Sequence, residues 1–352
     1  MLNDLLILII SLRNYFIYFA IAISLPSIIL YILEIITIVR HKQFRNAFYS
    51  LILMRAITVF LNIFNSLFIV TVFFPNILYT LDSYYCYRLT VLFGNFLYPF
   101  YSQLPNFMLR LSFFLTSYTL LADFLGTILI LLNRWTAITM GINYEIFWTK
   151  MIKYSGLLIF GFPMLLYIQI FTVNCFLYKE QMNDNITVSF YIASDLNPIY
   201  DSVELNVIFS ILFMFICFFI NIVTLISYRR NCKLNLAFKS IQQINHERKE
   251  YKLLIYAVFT FLGHAIMALN QILVNFVIKT KDMNMVSAAY TQYPWTMDVG
   301  SVLVPSWLLF WASDNFRFQL IKDFCPKCLF QRLFNENQSS SPPVIVLPIT
   351  KF

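Results

Sequence analysis

Seven stretches of roughly twenty or more mostly apolar residues divide this 352-residue chain, and no other feature restricts its fold as much. They lie at about 15–39, 51–74, 106–132, 154–173, 204–228, 251–277 and 293–312. A helix needs about 20 residues, at a rise of 1.5 Å each, to cross the hydrocarbon core of a bilayer. Each stretch meets that length. Asp, Glu, Lys and Arg make up 12% of the chain and apolar residues 60%, whereas a soluble domain carries about 25% charged residues. In water such a chain would expose more apolar surface than one core can hide. The expected fold is an all-α membrane protein, a seven-transmembrane helix bundle over 15–312. A short N-terminus at 1–14 precedes it and a tail at 313–352 follows.

The placement of positive charge orients the bundle. Connections after spans one, three and five and the C-terminal tail hold 3, 3, 7 and 5 Lys or Arg, counting Lys252 with its connection. The N-terminus and the connections after spans two, four and six hold 1, 1, 1 and 2. An 18 to 5 asymmetry places the N-terminus outside and the C-terminus in the cytosol. The net charge of +8 is thus a topology signal flanking spans, and no nucleic-acid partner is expected. The apolar run Leu5–Ile10 is short and lacks a basic region before it, so no cleaved signal peptide is expected. The aromatic-rich stretch Tyr84–Leu104, interrupted by Pro99 and followed by Pro105, is expected to lie partly on the outer membrane surface; the alternative, an eighth span, would break the charge alternation.

Two sequons divide by side. Asn185-Ile186-Thr187 falls in the long outer connection, where glycosylation can occur, and Asn337-Gln338-Ser339 falls in the cytosolic tail. Cys86 and Cys175 are the only outer cysteines in this topology; a disulfide between them would tie the connection that precedes span three to the end of span four.

Ionisable side chains inside a span need a partner, water or a short route to the interface. Glu34 and Arg55 lie at matching depths near the cytosolic face, about 7 Å in. They would form a structural pair or reach the headgroups separately. Near the outer face, Arg110 and Asp298 enter spans three and seven at similar depth, with Asn270 and Gln271 near the end of span six. These four would frame a polar ligand pocket, or serve as a structural ion pair with amides bonded to neighbouring helices. Asp123 precedes Arg134 by eleven residues, so Asp123, Thr127, Ile130 and Arg134 share nearly one helical face that would run toward the cytosolic mouth.

Asn133-Arg134-Trp135 closes span three. The planar fork of Arg134 would bridge neighbouring helix ends or a partner's carbonyls, unless it acts only as a positive-inside anchor. The basic segment Arg229–Lys252 suits an acidic protein or an anionic leaflet, and its stretch Leu236–Ile244 would extend the fifth helix. In 314–324, Phe316, Leu320 and Phe324 recur at every fourth position beside Arg317 and Lys322, which describes a short amphipathic helix on the membrane surface. Cys325 and Cys328 follow. With no second Cys or His pair near in sequence, juxtamembrane palmitoylation fits them better than a metal site. No cofactor is expected.

The seven spans, the arginine closing span three and the surface helix after span seven resemble the G-protein-coupled receptor architecture. The stretches HKQFRNAFYSLILMR at His41–Arg55 and LLNRWTAITM at Leu131–Met140 resemble the nematode serpentine receptor class gamma chemoreceptors. That resemblance extends through Phe324. It implies a chemosensory receptor in the plasma membrane of sensory neurons. It also implies an odorant or pheromone-like ligand and a heterotrimeric G protein as partner. Asn133 stands where rhodopsin-like receptors place an acid before the arginine, and Val304-Pro305 is not followed by their N-P-x-x-Y pattern. The intrahelical acid lock of those receptors is therefore absent here. A transporter or ligand-gated channel would want paired repeats or Gly-interrupted helices, and the chain has only 7 Gly. A membrane enzyme would want a catalytic constellation, and His41, His246 and His264 are scattered, with only His264 inside a span.

Overall fold

A computed structural model describes residues 13–73, 105–141, 143–181, 188–194, 202–234, 241–280, 289, 292, 296–297 and 299–325. Helix α1 runs Arg13–Arg40 and α2 Ala47–Phe73, joined through a 3-10 turn at Lys42–Phe44. Helix α3 is Asn106–Met140 and α4 Asn143–Thr172. Strands β1 (Cys175–Gln181) and β2 (Val188–Ser194) follow, then α5 (Ser202–Leu234), α6 (Ile241–Thr280), α7 (Val299–Ala312) and α8 (Asp314–Phe324).

Local chemistry sets several of these boundaries. Asn46 caps α2, its Oδ1 accepting from the Tyr49 amide at 3.1 Å. Helix α3 starts after Pro105, where a missing N–H costs nothing, and stops at Gly141, whose φ of 53° suits a residue without Cβ. Prolines also explain two π turns, Leu157–Gly161 in α4 and Val299–Leu303 in α7. Pro163 and Pro305 follow two residues later, and each lacks the N–H that the carbonyl four residues earlier would receive.

Among the described residues, five helical segments are long and apolar enough to cross a membrane: Ala22–Arg40, Asn106–Met140, Asn143–Thr172, Glu204–Asn231 and Tyr251–Val277. Ala47–Leu61 and Val299–Ala312 are shorter apolar helices. The most apolar window of α3 is 72% buried, against 22% in α5, so α3 is the axis of the bundle and α5 its rim. Helix α3 packs against α2, α4, α5 and α6. Helix α5 turns Phe215, Phe218, Phe219 and Ile226 outward, a surface suited to lipid rather than water.

Three features depart from the sequence expectation. The fourth connection holds an antiparallel hairpin, with Cys175 opposite Ser194 and Gln181 opposite Val188, within an otherwise helical chain. Phe176, Tyr178, Phe190 and Tyr191 with the β-branched Val188 and Ile192 are residue types that favour strands. Residues 241–244 belong to α6 rather than to an extension of α5, and 235–240 lie outside the described residues. Helices α3 and α6, at 35 and 40 residues, run well past a bilayer-thick apolar stretch because helical hydrogen bonding continues where the apolar run ends. The stretch Tyr84–Leu104 lies outside the described residues.

At one end of the bundle, α8 lays Phe316 and Leu320 into a cluster with Phe44, Phe48, Tyr49 and Ile38. The Phe316 ring meets Phe44 at 5.2 Å and Tyr49 at 5.6 Å. At the other end, the hairpin lies against the start of α3.

Candidate functional site

Asp123 is the middle residue of α3, and the groups around it come from three other helices. Arg55 of α2 donates through Nε to Asp123 Oδ1 at 2.6 Å. Its Nη2 donates to the Ser301 carbonyl of α7 at 3.0 Å and lies 3.1 Å from His264 Nε2 of α6. His264 Nε2 is also 3.1 Å from Asp123 Oδ2 and 3.1 Å from Thr127 Oγ1, while Nδ1 is held at 2.8 Å by the Thr260 carbonyl. Arg55 is 1% exposed, Asp123 4% and His264 0%.

The sequence makes room for this arrangement with small residues. The stem of Arg55 passes Gly126, where an added Cβ would meet Arg55 Cβ at 3.2 Å. Helices α6 and α7 touch backbone to backbone, since a Cβ on Gly300 would lie 2.9 Å from the Gly263 carbonyl oxygen. Those glycines immediately precede His264 and Ser301, so the close approach delivers both groups to one guanidinium. Pro305 completes the arrangement. It leaves the Ser301 carbonyl without its helical donor, and Arg55 supplies one instead.

Burying an arginine and an aspartate costs several kcal/mol per ion, so such a pair persists only with good geometry and satisfied remaining bonds. Here the fork of Arg55 uses different nitrogens for carboxylate and carbonyl, which an ammonium could not do with one planar group. Phe124, stacked on Phe213 at 4.4 Å, forms the dry wall beside His264. On another side a small cavity with room for about one water is lined by Thr58, Thr119, Asp123 and Ser301 with Val59, Leu120 and Met297.

The expected Glu34–Arg55 pair is replaced by Arg55–Asp123. Matching depths misled because α2 begins at Ala47, which puts Arg55 about 12 Å along its helix. Glu34 is buried, and neither carboxylate oxygen has a hydrogen-bond partner among the described residues. Asp123 and Arg134 share the face turned to α2: Asp123 meets Arg55, and the Arg134 guanidinium stacks 3.7 Å from the Phe48 ring centroid. Arg134 also donates to Asn133 Oδ1 at 3.3 Å, and that oxygen accepts from Tyr144 at 3.0 Å. Both Asn133 and Arg134 are buried, so the arginine is folded into the bundle rather than standing at an open mouth.

Toward the hairpin end, Arg110 donates to Asn106, to the Phe171 carbonyl at 2.9 Å and to Asn174, which ties it to the end of α4. Asp298 lies outside the described residues. Asn270 and Gln271 are buried, and Asn270 Nδ2 and Gln271 Oε1 have no partner among the described residues. Cys86 and Asn185 lie outside the described residues; Cys175 opens β1, and its side chain lies outside them too.

Helix α8 is latched at both ends. His41 Nε2 lies 2.6 Å from Asp323, and Gln319 bonds to both. Lys252 of α6 donates to Asp314 at 2.8 and 2.9 Å. That bond, with the charges of Lys252 and Arg317, holds the Asp314 carboxyl below its ordinary range. Cys325 ends the helix as a free, partly exposed thiol, and Cys328 lies outside the described residues.

His264, Ser301 and the glycines were missed as site residues from the sequence. The one signal for His264 was its being the only histidine within a span. Nothing marked the Ser301 carbonyl except Pro305 four residues later.

The family model described as Srg family chemoreceptor matches residues 17–320, from α1 into α8. Among curated proteins no relative matches the chain.

Proposed function

The chain belongs to the Srg family of chemoreceptors, and from that premise we propose a seven-span receptor that binds a small odorant or pheromone-like molecule on its outer side and opens its inner end to a heterotrimeric G protein. In this proposal the N-terminus and hairpin are outside, and α8 lies on the cytosolic face of the plasma membrane, as the charge asymmetry favours. The observation that carries the signalling part is the Arg55–Asp123–His264–Ser301 network. It joins α2, α3, α6 and α7 through the Arg55 side chain, at the level of the middle of α3. A ligand that shifts α6 or α7 from outside must rearrange it, and a rearranged network repositions the same helices inside.

Asn270 and Gln271 support a ligand pocket because both are buried with amide atoms unmatched among the described residues. A ligand offering a donor and an acceptor would satisfy them and gain specificity from the otherwise unpaired groups. Asp298 and Arg110 would border that pocket, with Arg110 held by Asn106 and Asn174. To move the bundle from 1:99 to 99:1 in favour of the open arrangement, the ligand must prefer it by about 5.5 kcal/mol.

Inside, Asn133 and Arg134 are the groups we assign to the G protein. Arg134 would leave the Phe48 ring and present its donors to carbonyls of the partner. Expression with a reporter G protein, screened with odorants and pheromone-like compounds, tests the receptor directly. With an activating compound in hand, Arg134→Ala should abolish nucleotide exchange at unchanged surface level; undiminished exchange removes Arg134 from the mechanism.

A further inference from the structure

His264 has one ring nitrogen whose role is settled and one whose surroundings make opposite demands. Nδ1 faces the Thr260 carbonyl at 2.8 Å, and a carbonyl only accepts, so Nδ1 carries a hydrogen. Nε2 faces Arg55 Nη2, Thr127 Oγ1 and Asp123 Oδ2, all at 3.1 Å. A ring nitrogen offers either a lone pair or an N–H in its plane. The guanidinium only donates and so fits the neutral ring. The carboxylate only accepts and so fits the imidazolium. The Thr127 hydroxyl turns to suit either.

We infer that His264 Nε2 is a proton-binding site, and that its occupancy selects between two arrangements of α2, α6 and α7. With Nε2 unprotonated, Arg55 Nη2 bonds both His264 and the Ser301 carbonyl and so joins α6 to α7. When one proton arrives from water, the new Nε2–H donates to Asp123 Oδ2. No other covalent bond changes, and the net charge of the cluster rises by one. Two cations then face each other across the Arg55–His264 contact, and Arg55 withdraws from α6. Its hold on the Ser301 carbonyl loosens with it.

A surplus positive charge is costly in a sealed apolar interior and far less so where water enters. The opened bundle therefore takes up the proton, and by linkage a falling pH favours opening. The cavity beside Asp123 gives a water a place to stand on that route. Among the described residues, the other ionisable groups facing the cluster are Arg55 from α2, Asp123 from α3, Cys217 from α5 and Tyr256 on α6 itself. Tyr31 and Glu34 stand on the α1 side, and among the described residues α7 offers only the Ser301 carbonyl. Of these, Asp123 and Glu34 are the carboxyl groups, so Glu34 needs a control. The inference rests on the proposed receptor only for the meaning of the open arrangement.

The chain has 3 His, so His41→Gln with His246→Gln leaves His264 as its one imidazole. That full-length chain, ¹⁵N-labelled at histidine in lipid nanodiscs, would be titrated from about pH 8 to about pH 5, the range in which histidine changes charge. A paired label at the start of α6 and on α8 would report opening. The expected result is an Nδ1–H neutral ring that becomes imidazolium as the label distance changes, with the open-to-closed ratio rising by up to about tenfold per pH unit, the limit for one linked proton. Adding His264→Gln should abolish the distance response, and Glu34→Gln should preserve it. Nitrogen signals that stay fixed, a response that survives His264→Gln, or one lost in Glu34→Gln would overturn the inference. If the His264→Gln chain does not fold, protonation and distance change must still coincide in the single-histidine chain, and separate midpoints overturn it. Neither readout uses a G protein or an odorant, so failure here leaves the receptor proposal standing, and failure of that proposal leaves these results standing.

Discussion

Arg55 touches a carboxylate, a carbonyl and an imidazole on three different helices, so its removal should cost more than one hydrogen bond. Arg55→Gln would leave the buried Asp123 carboxyl without its cationic partner, and Asp123→Asn would leave the guanidinium without its counter-charge. Each single change should destabilise the purified receptor in detergent by about 3–5 kcal/mol, the usual cost of breaking one side of a buried pair. The double variant should lose less than the sum, with a coupling of about 1–3 kcal/mol. Thermal unfolding of the four proteins measures this cycle, and strictly additive losses would show that the two side chains do not act as a pair. The charges themselves were visible in the sequence as intramembrane Arg55 and Asp123. Their partnership was not, because depth along a helix leaves its rotation about its axis undetermined, and Glu34 lay at the better-matched depth.

Helices α6 and α7 meet through Gly263 and Gly300 at backbone distance. An alanine at Gly300 would put its Cβ 2.9 Å from a carbonyl oxygen that is fixed in a helix, so the helices must separate. An alanine at Gly126 would meet the Cβ of Arg55 at 3.2 Å and its Cγ at 3.3 Å, atoms of a side chain with some freedom to shift. Gly300→Ala should therefore lose about 1–3 kcal/mol and Gly126→Ala clearly less. Unfolding midpoints in detergent would rank them, and equal losses would refute the close-contact explanation. The turn at Val299–Leu303 and Pro305 together leave a carbonyl for Arg55, where a regular helix would have bonded it internally. At the opposite end of α6, Lys252 reaches Asp314, so the helix that carries His264 is also tethered to α8.

For the whole molecule, orientation is the testable quantity. With the hairpin outside, Asn185 should carry an N-glycan when the chain passes through the secretory route, and Asn337 should not. Peptide N-glycosidase should shift the electrophoretic mobility of the wild-type chain and leave Asn185→Gln unmoved. A tag on the C-terminal tail should bind antibody only after permeabilisation. A glycan on Asn337, or a tail exposed on intact cells, would invert the bundle.

The long apolar helices and the amphipathic helix at Asp314–Phe324 were legible in the chain because they follow from local composition and periodicity, which neighbouring residues share, and the family was legible as a resemblance in two short stretches. A bilayer-long apolar run is helical whatever surrounds it, since no water is present to take its backbone hydrogen bonds. The amphipathic period of Phe316 and Leu320 likewise needs no partner to be seen. The hairpin was overlooked because two seven-residue strands in a polar connection carry a weak signal beside long apolar stretches. What only the tertiary structure decided was which polar groups meet. Arg55 faces Asp123 rather than Glu34, His264 completes the cluster, and a carbonyl released by Pro305 becomes its fourth member. Those choices depend on the rotation of each helix and on how closely glycines allow two backbones to approach. Both are settled by the packing of all the helices at once.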